Sequence, residues 1–143
     1  MYKQILIALD GSETSRFALG EALKLAKEQG AKVVVLQVYE PIVTASTYGV
    51  VDLTQAMRNE GEKIAADALE VARKAGVEAR SQVLDAEGRR VASVIVQEAN
   101  AAGADLIVVG THGRRGLEHL VLGSVAEGVA RRAAVPVLLI RKP

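Results

Sequence analysis

Short apolar runs rich in β-branched residues alternate with longer stretches in which apolar residues recur every three or four positions. The uninterrupted runs are residues 5–9, 33–36, 106–109 and 137–140. Such runs are typical of strands buried on both faces of a parallel sheet, and the longer stretches are typical of helices that lay one apolar face on it. Glycines follow the helical stretches at Gly30, Gly76 and Gly103, as residues that end helices do. The chain is therefore predicted to alternate strands and helices in the order βαβαβαβαβ.

The third predicted strand has a different pattern, because apolar and polar residues alternate over residues 77–84. One of its faces is expected to meet water, which places it at a sheet edge. Right-handed crossovers then favour an open five-stranded parallel sheet with the strand order 3-2-1-4-5 and helices on both faces. In such α/β sheets a ligand binds where the carboxyl ends of strands one and four diverge. Asp10 and Gly110 stand at those two ends.

The last predicted strand, Val137–Ile140, is apolar throughout and forms the opposite edge of the predicted sheet. An exposed apolar edge strand favours pairing with another chain, because its outer backbone groups have no partner. We therefore predict a homodimer joined through Val137–Ile140.

Composition supports one domain over residues 1–143 and argues against several kinds of partner. Half of the 143 residues are apolar, and 18 basic residues stand against 17 acidic ones. A net charge of +1 provides no general field that would attract nucleic acid or a membrane surface, so neither is expected as a partner. The chain has no Cys, which excludes disulfides and thiolate chemistry. The first apolar run is too short for a secretory signal or a membrane span, and a cytoplasmic location is expected.

The densest chemical signal is a glycine-rich segment directly after the fourth predicted strand. Gly110, Gly113, Gly123 and Ser124 follow the spacing G-x2-G-x9-G-S. Backbone N–H groups that glycines turn inward, together with the N-terminus of the following helix, suit a phosphate group. Neither the P-loop sequence nor the dinucleotide fingerprint is present. The segment therefore predicts phosphate binding by another glycine arrangement.

This spacing resembles the signature of the ATP-binding universal stress proteins (the UspA family), G-x2-G-x9-G-(S/T). The opening of the chain, from Lys3 through Asp10 to Ser12, is similar to the first strand and acidic residue of that family, and the resemblance covers the whole chain. It implies a Rossmann-like domain of the adenine nucleotide alpha hydrolase type that binds ATP and Mg²⁺, with the cation held mostly by phosphate oxygens. It also implies a nucleotide-dependent stress-response or interaction protein.

The resemblance assigns ten residues to the adenine nucleotide. Those expected around the adenosine are Ala8, Leu9, Asp10 and Val38; those facing the ribose and base are Val109 and Gly110; and those holding the phosphates are Gly113, Gly123, Ser124 and Val125. Asp10 is expected to bind a ribose hydroxyl or a metal-bound water. No residue is assigned as a catalytic group or as a direct metal ligand.

Several of these positions have simpler structural explanations. Ser124 and Glu127 have the spacing of a capping box, so the hydroxyl has a role in helix capping whether or not it also meets phosphate. For Asp10 the alternative is a local cap or turn before a helix that begins near Ser12. The arginine pairs at 89–90, 114–115 and 131–132 are expected to be solvated. His112 and His119 lack the companions of a zinc site, and residues 39–50 are expected to form a surface loop or a mobile cover over the site.

Binding is favoured over catalysis, because no lysine replaces that of the P-loop and only Asp10 and His112 are candidates to orient a water. Little or no hydrolysis is expected. The alternative is a slow ATPase or an autophosphorylating enzyme that uses the same site. A third interpretation, a phosphoacceptor receiver domain, requires four residues to meet: Asp10, Asp85, Thr111 and Lys142. It is rejected because the acidic pair expected after the first strand is missing.

Overall fold

A computed structural model describes residues 1–113 and 122–143. Within these ranges the elements are, in chain order, β1 (Gln4–Leu9), α1 (Glu13–Gln29), β2 (Lys32–Tyr39), β3 (Val43–Ser46), β4 (Gly49–Asp52), α2 (Thr54–Lys74), β5 (Ala79–Asp85), α3 (Val91–Ala101), β6 (Leu106–Gly110), α4 (Ser124–Arg132) and β7 (Val137–Ile140). Five strands form a parallel sheet in the order β5-β2-β1-β6-β7. When these five strands alone are numbered in chain order, their order in the sheet is 3-2-1-4-5, as predicted. The α/β prediction is confirmed.

The sheet separates two apolar cores. On one face α1 and α2 pack against side chains such as Ile7 and Val35. On the other face α3 and α4 pack against side chains such as Leu6 and Leu36. Leu6 and Ile7 are neighbours in β1 and both are fully buried, one in each core. The uninterrupted apolar runs follow from this arrangement, because every position of a central strand faces one of the two cores.

The ends of α1 follow from local sequence. The Ser12 hydroxyl accepts a hydrogen bond from the Ser15 N–H at 3.1 Å and so caps the first turn. Gly30 ends the helix in the left-handed region at φ 67°, where a residue without a side chain is unstrained. Gly76 and Gly103 have the same left-handed backbone after α2 and α3. The prediction that these three glycines end helices is confirmed.

Asp105 ties the start of β1 to the start of β6. Its carboxylate accepts hydrogen bonds from the N–H of Lys3 at 2.9 Å and from the N–H of Gln4 at 3.1 Å. Burial acts to raise the pKa of the Asp105 carboxyl, but donation by these backbone groups outweighs it and holds the pKa below its usual value. The link aligns the two strands whose far ends border the predicted ligand site.

The two edges of the sheet are β5 and β7, as predicted. β5 begins at Ala79, two residues later than the alternating pattern suggested. The four residues of β7 are half-buried between the helix layers. No helix in the part of the chain that the structure describes is both long and apolar enough to cross a bilayer.

Residues 39–50 were expected to form a surface loop, and most of them instead belong to a two-stranded hairpin. β3 and β4 pair antiparallel as a hairpin between β2 and α2. Its eight strand residues are exposed, and Tyr48 at the turn is 100% exposed. Because the two strands satisfy each other's backbone groups, the hairpin forms without joining either core. Leu53 N–H donates to the Ile42 carbonyl at 2.8 Å and closes its base.

Candidate functional site

A cavity of about 420 Å³ opens at the carboxyl ends of β1, β2 and β6. Its sheet side is apolar, with Ala8, Val38 and Val109 on the face that α3 covers. Val91 and Ile95, one turn apart at the start of α3, close it from the opposite side. This is the place where strands one and four of the predicted order diverge. An apolar slot of this size between sheet and helix suits a flat ring system.

All ten residues assigned from the sequence line this one cavity. They are Ala8, Leu9, Asp10, Val38, Val109, Gly110, Gly113, Gly123, Ser124 and Val125. The other described lining residues, which sequence reasoning did not assign, are Ser15, Leu36, Glu40, Val91, Ile95, Thr111, His112, Leu122 and Ala126. For Val91 and Ile95 a signal was available, since the first turn of the third predicted helix has to lie near the ligand end of the sheet. Of the segment 39–50, Glu40 lines the cavity, and residues 41–50 do not.

Asp10 makes the turn that was predicted before α1 and also lines the cavity. One carboxylate oxygen, Oδ1, accepts a hydrogen bond from the Ser12 N–H at 2.9 Å, which makes the predicted turn before α1. The other oxygen, Oδ2, lies 2.5 Å from the position that a Cβ on Gly113 would take. The carboxylate therefore reaches the glycine motif across the cavity floor while it also shapes the turn.

Close packing explains why the motif positions are glycine. A Cβ on Gly110 would lie 2.8 Å from the Thr14 Cγ2, and a Cβ on Gly123 would lie 2.9 Å from the Thr111 carbonyl oxygen. Neither these two residues nor Gly113 has a positive φ. The left-handed backbone of an anion nest is therefore not what selects glycine at these three positions. The remainder of the loop, including Gly116, lies outside the described residues.

Ser124 is the first residue of α4, and Gly123 is its N-cap. The Glu127 N–H donates to the Gly123 carbonyl at 2.9 Å, and no side chain caps the helix. The predicted capping box is therefore wrong. Its physical reason is the hydrogen bond from the Gly123 N–H to the Thr111 carbonyl at 2.7 Å, which places Gly123 at the cap position. The Ser124 hydroxyl stands exposed at the mouth of the cavity instead.

The charged residues separate into distinct groups. Among the described residues that line the cavity, the carboxylates are Asp10 and Glu40, and none is Lys or Arg. Arg89 is exposed, as expected, and its guanidinium also donates to the Ala86 carbonyl and to the Gln97 amide oxygen. The pair at 114–115 and His119 lie outside the described residues. In the ranges that the structure covers, no three His, Cys, Asp or Glu side chains cluster as a metal site.

The receiver-domain interpretation finds no support in the positions of its residues. Asp85 does not line the cavity, and its carboxylate accepts a hydrogen bond from the Glu87 N–H at 2.7 Å. Lys142 contacts Glu13 at the start of α1. The hydrogen bond from the Lys142 ammonium to the Glu13 carboxylate, together with the positive charge of Lys142, lowers the pKa of the Glu13 carboxyl. The acidic and basic groups of a phosphoacceptor site are therefore not assembled here.

Proteins of known sequence and structure resemble this chain along its whole length. A universal stress protein of Methanocaldococcus jannaschii is 37% identical over 146 residues, covering 100% of this chain and 84% of the relative. The universal stress protein YxiE of Bacillus subtilis is 37% identical over 151 residues, covering 99% and 100%. A crystal structure of a family member from Burkholderia pseudomallei superposes with a TM-score of 0.82 at 35% identity, covering 99% of this chain and 97% of that one.

Two further solved structures contain a nucleotide. A universal stress protein from Archaeoglobus fulgidus in complex with dAMP is 27% identical, with a TM-score of 0.69 and 98% of each chain covered. A universal stress protein in complex with cAMP is 26% identical, with a TM-score of 0.74, and covers 98% of this chain and 97% of that one. The sequence family described as the universal stress protein family matches residues 1–141. This chain belongs to the universal stress protein family.

Proposed function

We propose that this chain binds an adenine nucleotide, ATP with Mg²⁺, in the cavity at the ends of β1, β2 and β6, and that the bound state rather than turnover is what the cell uses. The observation that carries the proposal is the convergence of all ten assigned residues on one cavity. Its volume of about 420 Å³ lies within the range of small-molecule sites. The protein would then act as a nucleotide-dependent stress-response or interaction module.

Relatives support the choice of adenine. The proteins solved with dAMP and with cAMP carry the same base, and each shares more than a quarter of its residues with this chain. In this chain the apolar side chains of Val38, Val109 and Ile95 border the slot that would take the base. Asp10, directly after β1, lines the same cavity and would accept a hydrogen bond from a ribose hydroxyl.

The phosphates fit the start of α4. The first N–H groups of a helix lack intrahelical partners, and the positive end of the helix dipole favours anions. Ser124 adds a hydroxyl that does not cap the helix. With Asp10 and Glu40 as the lining carboxylates, a Mg²⁺ ion would be held chiefly by phosphate oxygens, and its charge would offset theirs. The residues present therefore suit a nucleotide that carries its own cation.

The described lining groups support slow or absent hydrolysis. Phosphoryl transfer needs positive charge at the transferred group and a residue that orients water. The described part of the cavity wall has no Lys or Arg, and its titratable groups are Asp10, Glu40 and His112. The competing function, a slow ATPase or an autophosphorylating enzyme, would use the same residues.

The test is calorimetric titration of nucleotide-stripped protein with Mg-ATP, with phosphate release measured on the same sample. We expect micromolar binding and no sustained release. Release over many turnovers that Asp10→Asn abolishes without loss of binding would establish the enzyme instead. Absence of binding by ATP, AMP and adenosine would overturn the proposal.

Assembly and location complete the proposal. Residues 1–143 would form one domain, which pairs with a second copy through Val137–Ile140 in the cytoplasm. β7 supports the pairing, because it is an edge strand whose four residues are all apolar. A parallel ladder uses the backbone groups of alternate residues, so the others face outward and are available to a partner strand.

A further inference from the structure

A groove of about 390 Å³ adjoins the nucleotide cavity between α3 and α4. The two spaces share four lining residues, Glu40, Val91, Ser124 and Val125. Ser124 and Val125 are among the residues expected to hold phosphates. The groove therefore continues from the phosphate end of the proposed site, along the side of the molecule that α3 and α4 form.

Three arginines line this groove, which we call the basic groove: Arg90, Arg131 and Arg132. Arg131 is neutralised locally, since its Nη2 donates to Glu127 Oε1 at 2.6 Å. The guanidinium groups of Arg90 and Arg132 have no ion pair or hydrogen bond to the part of the chain that the structure describes. Both residues are exposed, as expected, and the fold gathers them in one concave surface.

Arg132 is positioned by the close crossing of the two helices. A Cβ on Gly128 would lie 2.6 Å from the Ala92 Cβ and 3.2 Å from the Arg132 Nη1. The guanidinium group therefore lies over the glycine at which α4 meets the first turn of α3. Arg90 is the residue directly before that turn. One cation at the end of α4 and one directly before α3 thus line the same groove.

We infer that the basic groove receives the terminal phosphates of the bound nucleotide, and that Arg90 and Arg132 discriminate a triphosphate from a monophosphate. The inference rests on the proposed function. Its physical basis is that the described cavity wall supplies no cationic side chain, whereas the groove beside it holds two that are unpaired within the described residues. Guanidinium groups form charge-assisted, often bidentate hydrogen bonds with phosphate, which makes arginine well suited to this task.

The experiment is titration of the full chain with adenosine, AMP and ATP, using wild type, Arg90→Gln, Arg132→Gln and the control Arg80→Gln. Arg80 is an exposed arginine on the edge strand β5, opposite Val34 near the amino end of the sheet, so its replacement changes the net charge equally at a distance. We expect each groove variant to bind ATP about tenfold more weakly, as loss of one charge-assisted hydrogen bond implies. The affinities for AMP and adenosine should differ by no more than about twofold between the groove variants and wild type. Arg90→Lys, which keeps the charge, should bind ATP more tightly than Arg90→Gln but less tightly than wild type.

The other outcomes are separable. Equal binding of AMP and ATP to wild type, or losses no larger than in Arg80→Gln, would overturn the inference and leave nucleotide binding intact. Failure of all three ligands to bind wild type would overturn the proposed function as well. Inorganic tripolyphosphate provides a further arm. If the Arg90 and Arg132 variants weaken tripolyphosphate binding but leave ATP binding unchanged, the groove is a separate anion site and the inference is wrong.

Discussion

At the level of single residues, the glycine motif is explained by what lies against each glycine. Gly113 leaves room for the Asp10 carboxylate, and Gly123 leaves room for the Thr111 carbonyl. The spacing of the motif was visible in the sequence, but these neighbours are distant along the chain and belong to other elements. The sequence therefore predicted glycines that line one cavity, but the reason it suggested for them, an inward-turned backbone, does not apply to Gly110, Gly113 and Gly123.

Adjacent substitutions at the start of α4 separate packing from ligand contact. Ser124→Ala should change the free energy of unfolding by less than about 0.5 kcal/mol, because the hydroxyl does not cap the helix, yet it should weaken ATP binding. Gly123→Ala should cost about 1–3 kcal/mol, because its Cβ would lie 2.9 Å from a backbone oxygen that must move. Urea unfolding and calorimetric titration measure both quantities. A cost near 1 kcal/mol for Ser124→Ala would restore the capping box.

At the level of elements, helices and sheet strands were predictable because each carries a local pattern with one physical cause. The central strands read as unbroken apolar runs since both faces are buried, and α1 has a serine cap and a glycine end. The hairpin of β3 and β4 was not predicted, because its sequence carries no such local pattern. Its residues face water on both sides, so no core imposes an alternation of apolar and polar positions on them.

Glycines inside two helices should respond to alanine with opposite signs. A Cβ on Gly20 in α1 would have nothing within 4 Å, so Gly20→Ala should stabilise the protein by about 0.5–1 kcal/mol through helix propensity. A Cβ on Gly128 in α4 would lie 2.6 Å from the Ala92 Cβ. Gly128→Ala should therefore force α3 and α4 apart and destabilise the protein by about 1–3 kcal/mol. Thermal unfolding of both variants and of wild type measures the two stability changes. If Gly128→Ala stabilised the protein, the close contact between α3 and α4 at Gly128 would be contradicted.

At the level of the whole molecule, the location of the cavity at the ends of β1 and β6 followed from topology. The strand order and the handedness of crossovers place the ends of β1 and β6 side by side, so Asp10 and Gly110 had to border one space. The basic groove did not follow in this way. Its arginines approach one another only because α3 and α4 cross closely at Gly128, and no local pattern encodes that crossing.

The proposed dimer is testable through the outer backbone of β7. The Pro136 carbonyl accepts a hydrogen bond from the Ile107 N–H of β6 at 3.0 Å, and the Ile140 carbonyl accepts one from the Thr111 N–H at 2.9 Å. Because the backbone groups of alternate residues in a parallel strand face the same side, those of Leu139 face outward. Leu139→Pro removes the outward N–H, whereas Leu139→Ala shortens the side chain and keeps it. Light scattering should give twice the chain mass of 15.1 kDa for wild type and Leu139→Ala, and 15.1 kDa for Leu139→Pro. A wild type that stays at 15.1 kDa at every concentration would rule out the dimer.

The hairpin between β2 and α2 has a practical consequence. The hydrogen bond from Leu53 to Ile42 holds its two ends together, and its strand residues belong to neither core. A segment anchored in this way is a natural insertion point, since extra chain at its tip lengthens a loop whose ends are already fixed. Tyr48, fully exposed at the tip, is therefore a position at which a peptide tag or a fluorophore can be attached away from the cavity at the ends of β1, β2 and β6.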